Sequence, residues 1–161
     1  MKSVLCDTNF FIRLLKMDDP LHQNAKDYFK YFLDKSISVK CSTISVAEYC
    51  VRGNKDHLPL AKVQILPFNF HHGVRAGELA KIVFSKKKNK ELELSSRLII
   101  SNDTKLFSQA DTEEDIDVFI SSDREALKMY QMLKKETPVK FEFMDMNISM
   151  NETFGILQGY Q

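Results

Sequence analysis

The stretch Ser3-Val4-Leu5-Cys6-Asp7-Thr8-Asn9-Phe10-Phe11-Ile12 decides how the rest of the chain is read. Its first four residues form a short apolar run, closed by Asp7, Thr8 and Asn9. Short apolar runs bounded by turn residues suit a strand buried on both faces, the kind found in parallel sheets. A helix is expected over residues 10–16, broken by Asp19-Pro20. Asp7 would then stand at the carboxyl end of a strand, where open α/β sheets bind their ligands.

Outward from this start the same alternation recurs. Ala25, Tyr28, Phe29, Phe32 and Leu33 form one apolar helical stripe. Ile37, Val39 and Cys41 alternate with polar residues as a strand does. Ser42 or Thr43 can cap a further helix, which Gly53 ends. A short helix over 56–62 and an extended segment over 63–68 follow, and Pro67 argues against a central strand. Helices are expected over 71–85 and 96–110, separated by a basic loop at 86–90. An acidic loop at 111–117, with five carboxylates and no base, leads to a strand at 118–120. Asp123 opens a helix over 124–135, which Thr137-Pro138 stops, and 139–144 alternates as a last strand. This order predicts a three-layer α/β/α sandwich on a mostly parallel sheet of about five strands. Residues 1–144 are read as one domain and 145–161 as a C-terminal tail on the same domain, with Met144, Met146 and Met150 packing the tail or an interface.

Composition agrees with a single folded domain. The chain has 161 residues, 43% of them hydrophobic and 28% charged, which excludes a disordered or low-complexity protein. The 23 bases against 22 acids exclude a strongly basic nucleic-acid coat, so any such contact must come from a local patch. The three cysteines (Cys6, Cys41, Cys50) lack paired spacing and read as reduced thiols, which suits the cytoplasm. The longest stretch without Lys, Arg, Asp or Glu is 12 residues, at 63–74, so no membrane span is expected. Asp7 and Arg13 break what would be the apolar core of a signal peptide.

Four carboxylates stand where carboxylates are unusual. Glu48 shares a helical stripe with Ile44, Ala47 and Val51, and Asp103 shares one with Ile99, Leu106, Phe107 and Ala110. A carboxylate on a core-facing stripe is costly unless a cation or strong donors meet it. Taken singly, each has an ordinary reading: Asp7 as a turn residue, Asp123 as a helix N-cap, Glu48 and Asp103 at stripe edges reaching solvent or a base. Taken together, two strand-end aspartates and two stripe carboxylates can converge at one pole of the sandwich. Four such groups would hold protons unless a divalent cation compensates. An all-oxygen set suits Mg2+ or Mn2+ and phosphate chemistry before it suits zinc. The ions could activate a water and stabilise the leaving oxygen in phosphodiester hydrolysis.

With these residues in view, the chain resembles the PIN-domain nucleases, the family that includes the VapC-like toxins of toxin–antitoxin pairs. The resemblance rests on Val4-Leu5-Cys6-Asp7-Thr8-Asn9-Phe10-Phe11-Ile12, on Ser42-Thr43-Ile44-Ser45-Val46-Ala47-Glu48, on Asn102-Asp103 with Ala110, and on Val118-Phe119-Ile120-Ser121-Ser122-Asp123. It spans residues 4–123. It implies that Asp7, Glu48, Asp103 and Asp123 are the metal-binding and catalytic acids, with Thr8, Asn9 and Ser121 as polar support. It further implies a Mg2+- or Mn2+-dependent endoribonuclease acting on RNA, a small antitoxin protein as partner, and a homodimer. Ser121 departs from the family's usual Thr but keeps the hydroxyl. Asp115 or Asp117 could compete with Asp123 for the fourth role; Asp123 is preferred because it follows a strand-like run and opens a helix.

The bases Lys81, Lys86, Lys87, Lys88, Lys90 and Arg97 carry a local charge of +4 once Glu91 and Glu93 are counted. A solvated loop is the default for such a run, and a phosphate-contacting lip its functional reading, carried by Lys86, Lys87, Lys88, Lys90 and Arg97. Lys16, Arg13 and Arg52 are weaker candidates, and Arg52 could instead pair with Glu48 one turn away. The four histidines lack metal-ligand spacing and none is assigned to metal; His71-His72 reads as the exposed start of a helix. Tyr31 is the one aromatic of its helix that reads as a surface stacker.

A haloacid-dehalogenase-like phosphatase would want Asp-x-Asp, and Asp7-Thr8-Asn9 lacks the second acid. A non-catalytic PIN-like scaffold binding RNA or protein has no reason to keep four costly acids. A PIN nuclease of RNA maturation or DNA processing is not separated from a toxin by sequence.

Overall fold

A computed structural model describes residues 1–88 and 101–155. In chain order it runs β1 (Ser3–Cys6), α1 (Thr8–Leu15), α2 (His22–Asp34), β2 (Ser38–Ser42), α3 (Thr43–Cys50), a 3-10 turn (Lys55–His57) and β3 (Gln64–Leu66). Then come α4 (Phe70–Lys88), α5 (Asn102–Thr112), β4 (Ile116–Ser121), α6 (Arg124–Glu136), β5 (Glu142–Asp145) and α7 (Met150–Thr153). The five strands lie in the order β3-β2-β1-β4-β5, and every neighbouring pair is parallel.

All four residues of β1 are buried, as the central strand of a covered parallel sheet requires. Val4 and Cys6 face one core with Phe10 and Phe11 of α1 and Tyr28 and Phe32 of α2. Leu5 faces the other with Leu79 of α4, Leu106 and Phe107 of α5, Phe119 of β4 and Leu133 of α6. Two cores on opposite faces of one sheet make the expected three layers. Connections leave β1 toward β2 on one side and return across it to β4 on the other, so a crevice opens at the carboxyl ends of β1 and β4.

Several expectations are adjusted. Helix α1 begins at Thr8 rather than residue 10, because Asp7 is itself the cap: its Oδ1 accepts from the Thr8 N–H at 2.6 Å. The short helix over 56–62 is only the 3-10 turn, since Pro59 holds Leu58 extended. The basic loop at 86–90 is helical as far as Lys88, consistent with lysine's good helix propensity. The acidic loop is shorter than expected: α5 runs to Thr112 and β4 starts at Ile116. Tyr31 is no surface stacker, because its ring lies on Phe154 at 4.2 Å with a 21° tilt. Met146 is fully buried and Met144 and Met150 lie partly buried against the same core. Cys6, Cys41 and Cys50 are free. Among the described residues no helix is long and apolar enough to cross a membrane.

Candidate active site

The end of β1 delivers Asp7 into the crevice, and the end of β4 delivers Ser121. Asp7 is 5% exposed and is held by two donors, the Thr8 N–H and the Ser121 hydroxyl at 2.7 Å. Ser121 is fully buried; its oxygen also accepts from the Asn9 side-chain amide at 3.1 Å and from the Asp123 N–H at 2.9 Å. Asn9 is tied to the same turn by accepting from the Ser122 N–H at 3.2 Å. Asp123 caps α6, accepting from the Glu125 N–H at 2.7 Å and the Ala126 N–H at 3.4 Å. One of its oxygens is thus committed to the helix.

Glu48 arrives from α3 and Asp103 from the first turn of α5. The buried residues of α3 are Ser45 and Tyr49, while Ala47 and Val51 are exposed. Glu48 therefore lies beside the core-facing stripe rather than on it, and reaches the crevice. It accepts from the Thr8 hydroxyl and, at 2.6 Å, from the Asn102 side-chain amide. Nothing in the local sequence signals this role for Asn102, because its partner lies 54 positions away. Asp103 stands on the stripe of Leu106, Phe107 and Ala110, all fully buried; Ile99 lies outside the described residues.

Asp7, Thr8, Asn9, Glu48, Asp103 and Asp123 line one cleft of about 930 Å³. The carboxylates disturb one another. Burial, with Asp103 and Glu48 adding, pushes Asp7 up to about 7 against the pull of its Ser121 and Thr8 hydrogen bonds. Burial, then Asp123 and Glu48, pushes Asp103 up to about 6. The two competitors for the fourth position are engaged elsewhere: Asp115 binds Lys40 Nζ at 2.6 Å, and Asp117 accepts from the Lys2 N–H. An all-carboxylate set in which burial and neighbouring acids push Asp7 and Asp103 upward fits a hard divalent cation.

Bases stand on the cleft wall too. Lys16 and Arg52 line it, with Ile12, Leu15, Tyr49 and Val51 as apolar surface. Gly53 lets the chain close over Tyr49, since a Cβ there would come within 2.5 Å of the ring. Arg13 is structural: its Nε donates to Ser122 Oγ at 2.7 Å and its guanidinium pairs with Asp19 at 2.8 Å. Of the expected lip, Lys86 pairs with Glu136 of α6 at 3.0 Å. The side chains of Lys87 and Lys88, and all of Lys90 and Arg97, lie outside the described residues.

No family model and no curated protein matches the sequence. Solved structures do match the fold. VapBC2 of Rickettsia felis, solved bound to a DNA fragment from its promoter, is 18% identical with a TM-score of 0.58, covering 89% of this chain and 99% of that one. FitAcB of Neisseria gonorrhoeae is 14% identical with a TM-score of 0.57, covering 89% and 97%. The chain has the VapC-like PIN fold. DNA-bound VapBC of Salmonella typhimurium agrees, at 14% identity and a TM-score of 0.54 over 91% of this chain and 99% of that one. The resemblance carried by the four motifs thus holds at the level of the fold.

A second group of metal-capable side chains lies away from the PIN cleft. His71 and His72 of α4 and Glu113 bring three ligand atoms within 4.8 Å of one another. Only His71 is exposed; His72 is fully buried, contrary to the expected exposed pair. Sequence spacing hid the group because Glu113 is 41 positions from His72.

Proposed function

We propose that the chain is a Mg2+- or Mn2+-dependent endoribonuclease that hydrolyses RNA phosphodiester bonds. One observation carries this reading: four carboxylates from four separate elements line one cleft, and two of them are pushed up to about 7 and about 6. Asp7, Glu48, Asp103 and Asp123 would hold the ion or ions. When bound, the cation supplies the charge that activates water and stabilises a leaving oxygen.

The remaining residues orient these ligands. Ser121 and the Thr8 N–H turn Asp7 into the cleft, while Thr8 and Asn102 aim Glu48. Asn9 fixes Ser121 and the Ser122 backbone, so the two strand ends keep their spacing. Lys16 and Arg52 meet the substrate backbone on the cleft wall, giving affinity with little sequence information. The likeness to VapBC and FitAcB supports a toxin that works with an antitoxin protein, and the motif resemblance adds a homodimer and a cytoplasmic location to the proposal.

The test is cleavage of a mixed tRNA and rRNA pool with Mn2+ or Mg2+ against EDTA, with wild type beside Asp7→Asn. Metal-dependent cutting by wild type alone is expected. No cutting by either protein, and no divalent-dependent rise in wild-type thermal stability, would overturn the reading in favour of a non-catalytic scaffold.

A further inference from the structure

The His71/His72/Glu113 group lies far from the acidic cleft. Asp103 is in the first turn of α5 and Glu113 is its C-cap. Ten residues of helix separate them, which is roughly 15 Å at 1.5 Å per residue. His71 and His72 are consecutive in the first turn of α4, where neighbouring side chains ordinarily diverge by about 100°. Here both rings converge on a single carboxylate oxygen: His72 Nε2 lies 2.8 Å and His71 Nε2 3.5 Å from Glu113 Oε1. The ring centroids are 3.9 Å apart.

We propose that His71, His72 and Glu113 form a binding site for a borderline divalent cation of the Zn2+ class, distinct from the Mg2+/Mn2+ cleft. Two imidazoles with one carboxylate are a donor set that suits zinc, whereas the oxygen-only cleft suits hard ions. The spacing also suits it. Two ligands on one tetrahedral zinc, with bonds of about 2.0–2.1 Å, stand about 3.3 Å apart. The two histidine–carboxylate distances of 2.8 and 3.5 Å bracket that value.

In the metal-free protein the surroundings hold the buried ring in one tautomer, which loading must change. His72 Nδ1 accepts from the Asn69 N–H at 2.9 Å, so Nε2 carries the proton toward Glu113 when the site is free of metal. The Pro67 carbonyl is a second backbone partner of the same ring. On loading, the cation takes the place of the Nε2 proton. Nδ1 takes up a proton in exchange for the one Nε2 releases to solvent, so the Asn69 N–H must turn away from the ring and Nδ1–H donates a hydrogen bond to the Pro67 carbonyl, the arrangement common among metal-ligating histidines. The half-exposed His71 side is the entry path and leaves a fourth position to water. The bound ion would join the start of α4 to the α5–β4 turn, so it acts on stability rather than on the cleft's chemistry.

The inference does not rest on the nuclease reading, and its test separates the two. Zn2+ is titrated calorimetrically into the EDTA-stripped full chain, as wild type, His71→Ala, Glu113→Gln and Asp103→Asn, with Co2+ visible absorption as a second readout. Expected is one Zn2+ site that persists in Asp103→Asn, weakens at least tenfold in His71→Ala and in Glu113→Gln, and is not filled by Mg2+. His71 is exposed, so its alanine variant should unfold at the wild-type temperature in EDTA; Glu113→Gln serves if it does not. Equal Zn2+ affinity in wild type and His71→Ala, or loss of the site in Asp103→Asn alone, overturns the proposal.

Discussion

The two ends of the sheet treat carboxylates in opposite ways. At the amino ends of the strands and their approaches, acids meet partners: Asp115 binds the buried Lys40, and Asp111 binds Arg75 at 2.7 Å and the Lys140 N–H at 2.7 Å. At the carboxyl ends, Asp7, Glu48, Asp103 and Asp123 meet hydroxyls, amides and one another, and no described base pairs with them. The same side-chain chemistry thus serves two purposes. Paired acids lock elements together, whereas the cleft acids raise one another's proton affinity, which the proposed cation would relieve. Exposure alone does not separate them, because Asp7 and Asp111 are both buried.

The sharpest way to break this comparison is Asp103→Asn. If the cleft set acts together, metal-dependent RNA cleavage falls by about 10^3-fold, corresponding to about 4 kcal/mol of lost transition-state stabilisation. Single-turnover cleavage at saturating Mn2+ measures it, and a change under tenfold would return Asp103 to the structural acids.

The next effect is on stability against pH. Native Asp7 keeps its proton up to about 7, whereas the ordinary value is 3.8. Between these values the native state binds more protons than the unfolded state, so metal-free wild type loses stability as pH rises through the window. Asp7→Asn lacks this component. It should match wild type near pH 4 and exceed it above pH 7 by about 2–4 kcal/mol in urea unfolding with EDTA. Saturating Mg2+ should remove the advantage.

The opposite sign is expected at the other end of the sheet. Asp115→Asn leaves Lys40, 3% exposed, without its counter-ion and should cost about 2–3 kcal/mol in the same unfolding experiment. Metal should neither rescue it nor respond to it. Smallest is Ser121→Ala, which removes the hydroxyl donated to Asp7 while leaving all four acids. Metal affinity or cleavage should drop about 10–100-fold, and Ser121→Thr should restore most of it.

Much of this molecule is legible in local pattern. The apolar run before Asp7, the Ser42 cap, the helix start at Asp123 and the stripe of Leu106, Phe107 and Ala110 are set by neighbours a few residues away. Glu48 was less legible. Its stripe read as core-facing, yet Val51 is 78% exposed, because α3 turns Tyr49 rather than Val51 inward. Of the five bases expected as a lip, only Lys86 has a described side chain, and it meets Glu136 on α6, a partner 50 positions off.

Local pattern along the chain sets the alternation of strand and helix, the parallel sheet and the strand-end positions of Asp7 and Asp123. These follow from hydrophobic period and capping chemistry, which act over one or two turns. Which acids find partners is set by contacts between distant parts of the chain. Lys40 meets Asp115 across 75 positions and Ser121 meets Asp7 across 114, and the His71/His72/Glu113 group forms only when α4 lies along α5. Coulombic pairing and desolvation depend on distance in space, so they leave no periodic trace along the chain.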